Sequence, residues 1–328
     1  MIKALKWVAL ALIAGAGFGA TPGSAETLRL AHHHVVGGQL DRAAHLLADR
    51  VDEMTGGALV IQIFPAAQLG QQNEAFEQLN LGVFDMSLSP ISLMDKVYPP
   101  IRVFDLPFLW DDTEHFRRAV DGEFGKAAFE GLLANSNTRL IGMSGLGFRD
   151  MIFRGDPVTN VAGMKGLKMR APEAHLWIRM FELLGARPTP VTWGEVYTAM
   201  QTGVADGLEA PAVGALDMKF DEVTSSVVLT QHMFGNMGVC INQERYERLS
   251  PEFQEAITVA GAEAGRYMTD DTVASVGKAY EDMKARGLTV VEPDDRAEWA
   301  DAMKPLWQEI AAEHPDSARL IELALAAK

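Results

Sequence analysis

The sequence predicts an α/β protein of two domains. Strand-like and helix-like stretches alternate through the first half, the alternation repeats in the second, and one helical pattern near the C-terminus is longer than a single domain is wide. The chain has 328 residues, large for one hydrophobic core and comfortable for two of roughly 150 residues each.

The first segment stands apart from the domains. Lys3 and Lys6 precede an apolar run from Trp7 to Phe18 that ends in Gly23-Ser24-Ala25, the pattern of a secretory signal peptide cleaved after Ala25. The run is about a dozen residues, short of the ~20 needed to span a bilayer. Cleavage leaves 303 of the 328 residues and, because both lysines are lost, moves the formal charge from −15 to −17.

Thr27 to His32 and Ala58 to Phe64 alternate as strands do, and Gln39 to Met54 between them carries apolar residues at helical spacing. A helix over Gln72 to Leu81 and a strand over Val83 to Leu88 continue this β-α-β opening, for which a parallel sheet with helical crossovers is the natural architecture. Thr138 to Ser144 reads as a further buried strand. The second unit starts with strand-like Phe148 to Phe153 and Gly166 to Arg170, then helical Ala174 to Leu184 and Gly194 to Thr202, then the strand-like Gly207-Leu208-Glu209. With no low-complexity linker between the halves, the chain is expected to cross between domains on ordered strands. From Ser250 to Arg286 the pattern is almost unbroken helix, with Ser250 to cap it, Pro251 and Glu252 in the first turn and Gly287 to end it. At 1.5 Å per residue that is on the order of 50 Å, enough to lie across both domains.

A charge this negative argues against nucleic acid or anionic lipid as partners, so an anionic ligand needs a local cationic site. Cys240 is the only cysteine, which rules out an intramolecular disulfide and a cysteine-rich metal site. Gly142-Met143-Ser144-Gly145-Leu146 misses the nucleophile elbow at its last position, and Gly145-Leu146-Gly147 lacks the third glycine of a dinucleotide loop. Both read as strand-end turns. His32-His33-His34 looks like a metal run, yet neighbouring side chains on a strand point oppositely and no second ligand cluster supports it. A histidine at the end of the first strand, facing a cleft, is the favoured reading.

Arg149 and Arg170 each sit at a predicted strand end, where α/β sheets put their ligands, and a guanidinium matches a carboxylate. A structural ion pair is the alternative for both. Trp193 either walls a pocket or staples a helix to the core. Glu209, at a strand exit, either meets a ligand hydroxyl or pairs with an arginine.

The segments Phe64-Pro65-Ala66-Ala67-Gln68-Leu69-Gly70, Asp105-Leu106-Pro107-Phe108, Met164-Lys165-Gly166-Leu167-Lys168-Met169-Arg170 and Glu195-Val196-Tyr197-Thr198-Ala199-Met200-Gln201-Thr202-Gly203-Val204-Ala205-Asp206-Gly207 follow one another in a family's order. With them the chain resembles the solute-binding proteins of tripartite ATP-independent periplasmic (TRAP) transporters, the DctP-like family. The resemblance implies a hinged trap, like other periplasmic binding proteins, with crossing strands and a long helix against both domains. It places 26–147 plus 235–275 in domain I and 148–234 plus 276–328 in domain II. It implies a periplasmic, monomeric protein that catalyses nothing and needs no cofactor or metal. Its ligand is a small monocarboxylate, a hydroxy acid or sugar acid, delivered to membrane permease subunits; presentation to a membrane sensor kinase is the alternative.

The resemblance makes Arg170 the carboxylate grip, with Arg149 assisting, and Asn236 joins the candidate set. Three departures mark this pocket: Ala210 replaces an asparagine of sialate-binding relatives, His33 falls where some members carry asparagine, and Glu173 falls where some place a neutral amide. With Trp193 reducing volume and Glu173 and Glu209 repelling a second anion, a carboxylate of roughly three to seven carbons with few hydroxyls is expected over a nine-carbon sialate or a dicarboxylate.

Overall fold

The computed structural model describes residues 25–328, so the signal-peptide reading lies outside the described residues. Among the described residues, nine strands form one mixed sheet: β1 (Glu26–Ala31), β2 (Leu59–Phe64), β3 (Met86–Ser89), β4 (Thr138–Phe153), β5 (Lys168–Ala171), β6 (Arg187–Pro190), β7 (Gly207–Pro211), β8 (Ser226–Asn242) and β9 (Thr289–Val291). Their order is β2, β1, β3, β8, β4, β7, β5, β6, with β9 paired to β8. Helices α1 (Gln39–Thr55), α2 (Gln72–Asn80), α3 (Thr113–Asp121), α4 (Glu123–Asn135), α5 (His175–Leu183), α6 (Val196–Thr202), α7 (Ala212–Asp217) and α8 (Gln243–Arg248) fill the connections. The long α9 (Pro251–Ala285) follows, then α10 (Arg296–Ala302), α11 (Lys304–Glu313) and α12 (Pro315–Ala326).

The expected parallel pairing holds at the two ends of the sheet, in β1 with β2 and β3 and in β5 with β6 and β7. The middle is antiparallel, because β4 and β8 pair with each other along nearly their whole lengths of 16 and 17 residues. At about 3.3 Å per residue each reaches on the order of 50 Å. On one side of their register shift at Gly145/Gly147, β8 pairs with β3; on the other, β4 pairs with β7. Two sequence expectations are corrected here. Thr138 to Ser144 and Phe148 to Phe153 are one strand, and Gly145-Leu146-Gly147 is an irregularity inside it rather than a strand-end turn, with Gly147 at φ +82°. Strand β3 starts at Met86, because Asp85 turns back to accept a hydrogen bond from the backbone of Arg29 at 2.7 Å. At Gly194 a short 3-10 turn, Trp193–Glu195, precedes α6.

Helix α9 has 35 residues and begins as its sequence predicts, with the Ser250 hydroxyl accepting from the Phe253 amide at 3.2 Å and Pro251 in the first turn. Its first half packs Ile257, Ala260, Ala264 and Met268 among Leu28, Leu30, Leu47 and Met237, and its second half packs Ala279 and Met283 with Val196, Leu208 and Phe220. It therefore binds together the two ends of the sheet. Polar ties reinforce the seam: Thr269 accepts from the Gly145 amide at 2.8 Å, and Tyr280 donates to Asp150 at 2.5 Å.

Close approach to β4 depends on glycine. A β-carbon on Gly265 would collide with the carbonyl of Met143, whereas one on Gly277, in the same helix, would meet nothing. Gly265→Ala is expected to lower stability by about 1–3 kcal/mol, and Gly277→Ala to raise it by roughly 0.5–1 kcal/mol through helix propensity. Urea unfolding of both variants checks the pair; equal shifts would mean that α9 does not rest on β4 this tightly.

The first turn of α1 has no cap of its own, since Gly38 occupies the N-cap position. The amide of Gln39 instead donates to Asp217, at the end of α7, at 2.9 Å. A second tie over the same cleft joins Asn73 of α2 to Glu173 at 2.7 Å.

Candidate functional site

The ends of β1 and β5 and the middle stretches of β4 and β8 meet at a cleft whose cavity measures about 60 Å³. Five of the sequence candidates line it: His33, Arg149, Arg170, Trp193 and Asn236.

Arg170, next to last in β5, faces inward and is 1% exposed. Its Nε donates to the Val191 carbonyl at 2.9 Å, and the guanidinium lies 5.4 Å from the centre of the Trp193 ring. Among the described residues no acceptor meets its two Nη groups and no carboxylate lies within ion-pair distance. Burial pulls its pKa down to about 9, with Glu209 opposing and Arg149 adding to the shift, so it stays a cation at neutral pH.

Arg149, on β4, is committed differently. Its Nε and Nη2 fork onto the carboxylate of Glu209, at 2.7 Å for the Nη2–Oε1 bond, and Nη2 also reaches the Glu209 carbonyl at 3.1 Å. Trp177 of α5 donates its indole N–H to the same Oε1 at 2.9 Å. Glu209 is fully buried behind Arg149, and both its oxygens are taken. The pairing thus orients Arg149 and leaves Glu209 outside the cavity wall; a ligand hydroxyl does not reach it in this geometry. Strand alternation turns the next residue the other way. Ala210 is fully buried in a cluster with Val196, Leu208 and Phe220, so the structure does not bring it to the cavity. Glu173 is exposed at the rim, held by Asn73, and also stays out of the lining.

Trp193 both lines the cavity and belongs to the core: it meets Phe220 edge-on at 5.0 Å and stacks on His34 at 6.0 Å. The three histidines separate. His32 bonds to Asp41 at 3.0 Å, whereas His33, half-buried, and His34, stacked on Trp193, both line the cavity. Burial, then His34, His32 and Arg170, holds the His33 pKa well below the usual imidazole value, which makes it a neutral donor or acceptor. Among the described residues no three His, Cys, Asp or Glu side chains stand together as a metal site.

Trp177 and Asp105 are among the lining residues that sequence reasoning missed. Trp177 sits in the apolar stripe Leu176, Trp177, Met180, Phe181, which reads as core. Asp105 is 4% exposed and buried among apolar side chains; burial raises its carboxyl to about 7 against the opposing pull of Asn236 and Arg149. Its one sequence signal is its place at the head of Asp-Leu-Pro-Phe.

A sheet crossed by two long strands, a helix bridging both ends, and a cleft with an arginine unpaired inside it define a solute-binding protein. The chain belongs to the DctP family, described as bacterial extracellular solute-binding protein, family 7, whose profile matches residues 31–314. It is similar to the 2,3-diketo-L-gulonate-binding periplasmic protein YiaO of Escherichia coli, at 32% identity over 295 residues, covering 89% of each chain. It is also similar to the sialic acid-binding periplasmic protein SiaP of Vibrio cholerae, at 30% identity over 88% of this chain and 90% of that one. A TRAP periplasmic solute-binding protein from Roseobacter denitrificans with bound β-D-glucuronate superposes with a TM-score of 0.89 at 28% identity, covering 92% of this chain and all of the other. One from Sulfitobacter with bound β-D-galacturonate gives 0.87 at 26% identity, over 92% and 100%. DctP-family proteins are periplasmic binding proteins, and no helix among the described residues is long and apolar enough to cross a membrane.

Proposed function

We propose that this chain is exported, loses its first 25 residues, and as a periplasmic monomer captures a sugar-acid monocarboxylate for delivery to TRAP permease subunits. The observation that carries this reading is Arg170, a cation 1% exposed with no acid in contact. Burying such a charge is costly unless something pairs with it. A ligand carboxylate on its two Nη groups supplies that pair with the planar two-point geometry guanidinium favours. Arg149, already balanced by Glu209, adds a donor without adding net charge.

The neighbours support hydroxylated six-carbon acids: similar structures hold β-D-glucuronate, β-D-galacturonate and L-galactonate. With one uncompensated arginine in a cavity that Asp105 also lines, the cleft favours one negative charge over two. Residues 26–147 with 235–275 form one domain in this reading and 148–234 with 276–328 the other, closing about β4 and β8.

A thermal-shift panel of uronates, aldonates, succinate and sialate tests the ligand class, because a ligand at 100 times its Kd stabilises by about 2.7 kcal/mol. A hexuronate or hexonate is expected to give the largest shift. With that ligand at saturation, small-angle scattering is expected to show a smaller radius of gyration than the free protein. Tightest binding to succinate or sialate would overturn the ligand class, and an unchanged scattering curve would overturn closure.

A further inference from the structure

Two adjacent side chains in the cavity wall each keep one oxygen without a partner. Asp105 ends the 3-10 segment Pro99–Asp105 and is 4% exposed; Asn236, on β8, is 5% exposed; both line the cavity. The Asn236 Nδ2 donates to Asp105 Oδ1 at 2.8 Å and also lies near the carbonyls of Phe234, at 3.2 Å, and Phe104, at 3.5 Å. Three acceptors around one nitrogen settle which end of the amide is which. The other end, Asn236 Oδ1, has no hydrogen-bond partner among the described residues, and neither has Asp105 Oδ2. Nor does Asp105 have a cation within ion-pair distance among the described residues, since the Arg149 fork is spent on Glu209. Buried acceptors without donors are unfavourable.

We infer that Asp105 and Asn236 form a hydroxyl-selecting subsite, in which a hydroxyl of the ligand whose carboxylate Arg170 holds is bound between Asp105 Oδ2 and Asn236 Oδ1. This rests on the sugar-acid reading above and adds to it the residues that tell a sugar acid from a plain one. A hydroxyl suits the pair because it both donates and accepts: it donates to the amide oxygen and exchanges the second bond with the carboxyl. The raised pKa of Asp105, about 7, lets Oδ2 carry a proton near neutrality, so that both halves of the hydroxyl are met. A methylene in the same place leaves both acceptors bare. A second carboxylate sets its charge against two oxygens. The subsite thus rejects by unmet hydrogen bonds, the kind of discrimination that reaches several powers of ten when a site is built for a hydroxyl.

Calorimetry with D-glucuronate, D-galacturonate and the hydroxyl-free ring acid cyclohexanecarboxylate tests this in the wild type, Asp105→Ala and Asp105→Asn. Asp105→Ala is expected to weaken the tighter uronate by about 20-fold or more and cyclohexanecarboxylate by less than about threefold. Asp105→Asn keeps an acceptor for Asn236 and a donor for the hydroxyl, and is expected to hold the uronate within about fivefold of wild type. Equal loss of both probes in Asp105→Ala, or no loss of either, overturns the subsite while leaving the sugar-acid reading intact. Wild-type protein that binds cyclohexanecarboxylate as tightly as it binds either uronate overturns that reading and the subsite together.

Discussion

Arg170→Ala is expected to weaken binding of the wild type's best sugar acid by more than about 100-fold, or roughly 3 kcal/mol. The unusual part is the sign on the other side of the balance: the ligand-free fold is expected to be at least as stable as the parent. Arg170 makes one hydrogen bond, to the Val191 carbonyl, and has no acid in contact, so the substitution removes a desolvated charge that nothing in the free protein neutralises. Arg170→Lys keeps the charge but loses the planar fork and the Nε bond, and should still weaken binding by about tenfold or more. Calorimetry and urea unfolding on the same preparations decide the matter. Binding by Arg170→Ala within about threefold of wild type, well under 1 kcal/mol, would show that the carboxylate is anchored elsewhere.

Glu209→Ala should do the opposite, damaging the fold before it damages recognition. The fully buried carboxylate receives Arg149 through two nitrogens and Trp177 through its indole. Its removal leaves a largely buried guanidinium, 12% exposed, without a counter-charge, a loss approaching the roughly 3–5 kcal/mol seen where buried pairs have been broken from one side. Glu209→Gln, which keeps the shape and one acceptor oxygen, should lose less. Urea midpoints at constant slope measure both. A loss under about 1 kcal/mol for Glu209→Ala would mean that water reaches Arg149 freely and the pair behaves as a surface one.

Much of this architecture is legible in the residues themselves. Strands β1 and β2 and helix α1 are built on alternation and helical spacing, and α9 carries its own start signal in Ser250-Pro251-Glu252. The crossing strands resist reading for a physical reason. Gly142, Gly145 and Gly147 on β4 and Gly235 and Gly238 on β8 crowd the crossing, where Gly147 faces Gly235, and glycine-rich stretches imitate turns. Strand β8 is buried on both faces at most positions, so it has no apolar and polar alternation to betray it. At the site, Arg149 and Arg170 were visible as cations near strand ends. Asp105 and Trp177 were hidden in apolar runs, where an isolated acid or indole reads as core. Glu209 and Ala210 show the limit of naming neighbours together: adjacent on one strand, they point to opposite faces of the sheet.

If the cleft opens and closes as proposed, the cap that α1 lacks biases how often it shuts when empty. Asp217 reaches across from α7 to serve the first turn of a 17-residue helix, so an interaction that normally belongs to a helix alone is made conditional on where α7 stands. A side-chain cap stabilises by typically about 1 kcal/mol, which at room temperature is roughly a fivefold bias in a two-state population. Whenever α7 parts from α1, the helix's free N–H groups must turn to water instead. On the proposed closure, the empty protein would be drawn toward the shut form by its own backbone, and whatever fraction rested there unliganded would be withheld from the solute, so cap strength would trade capture rate against retention.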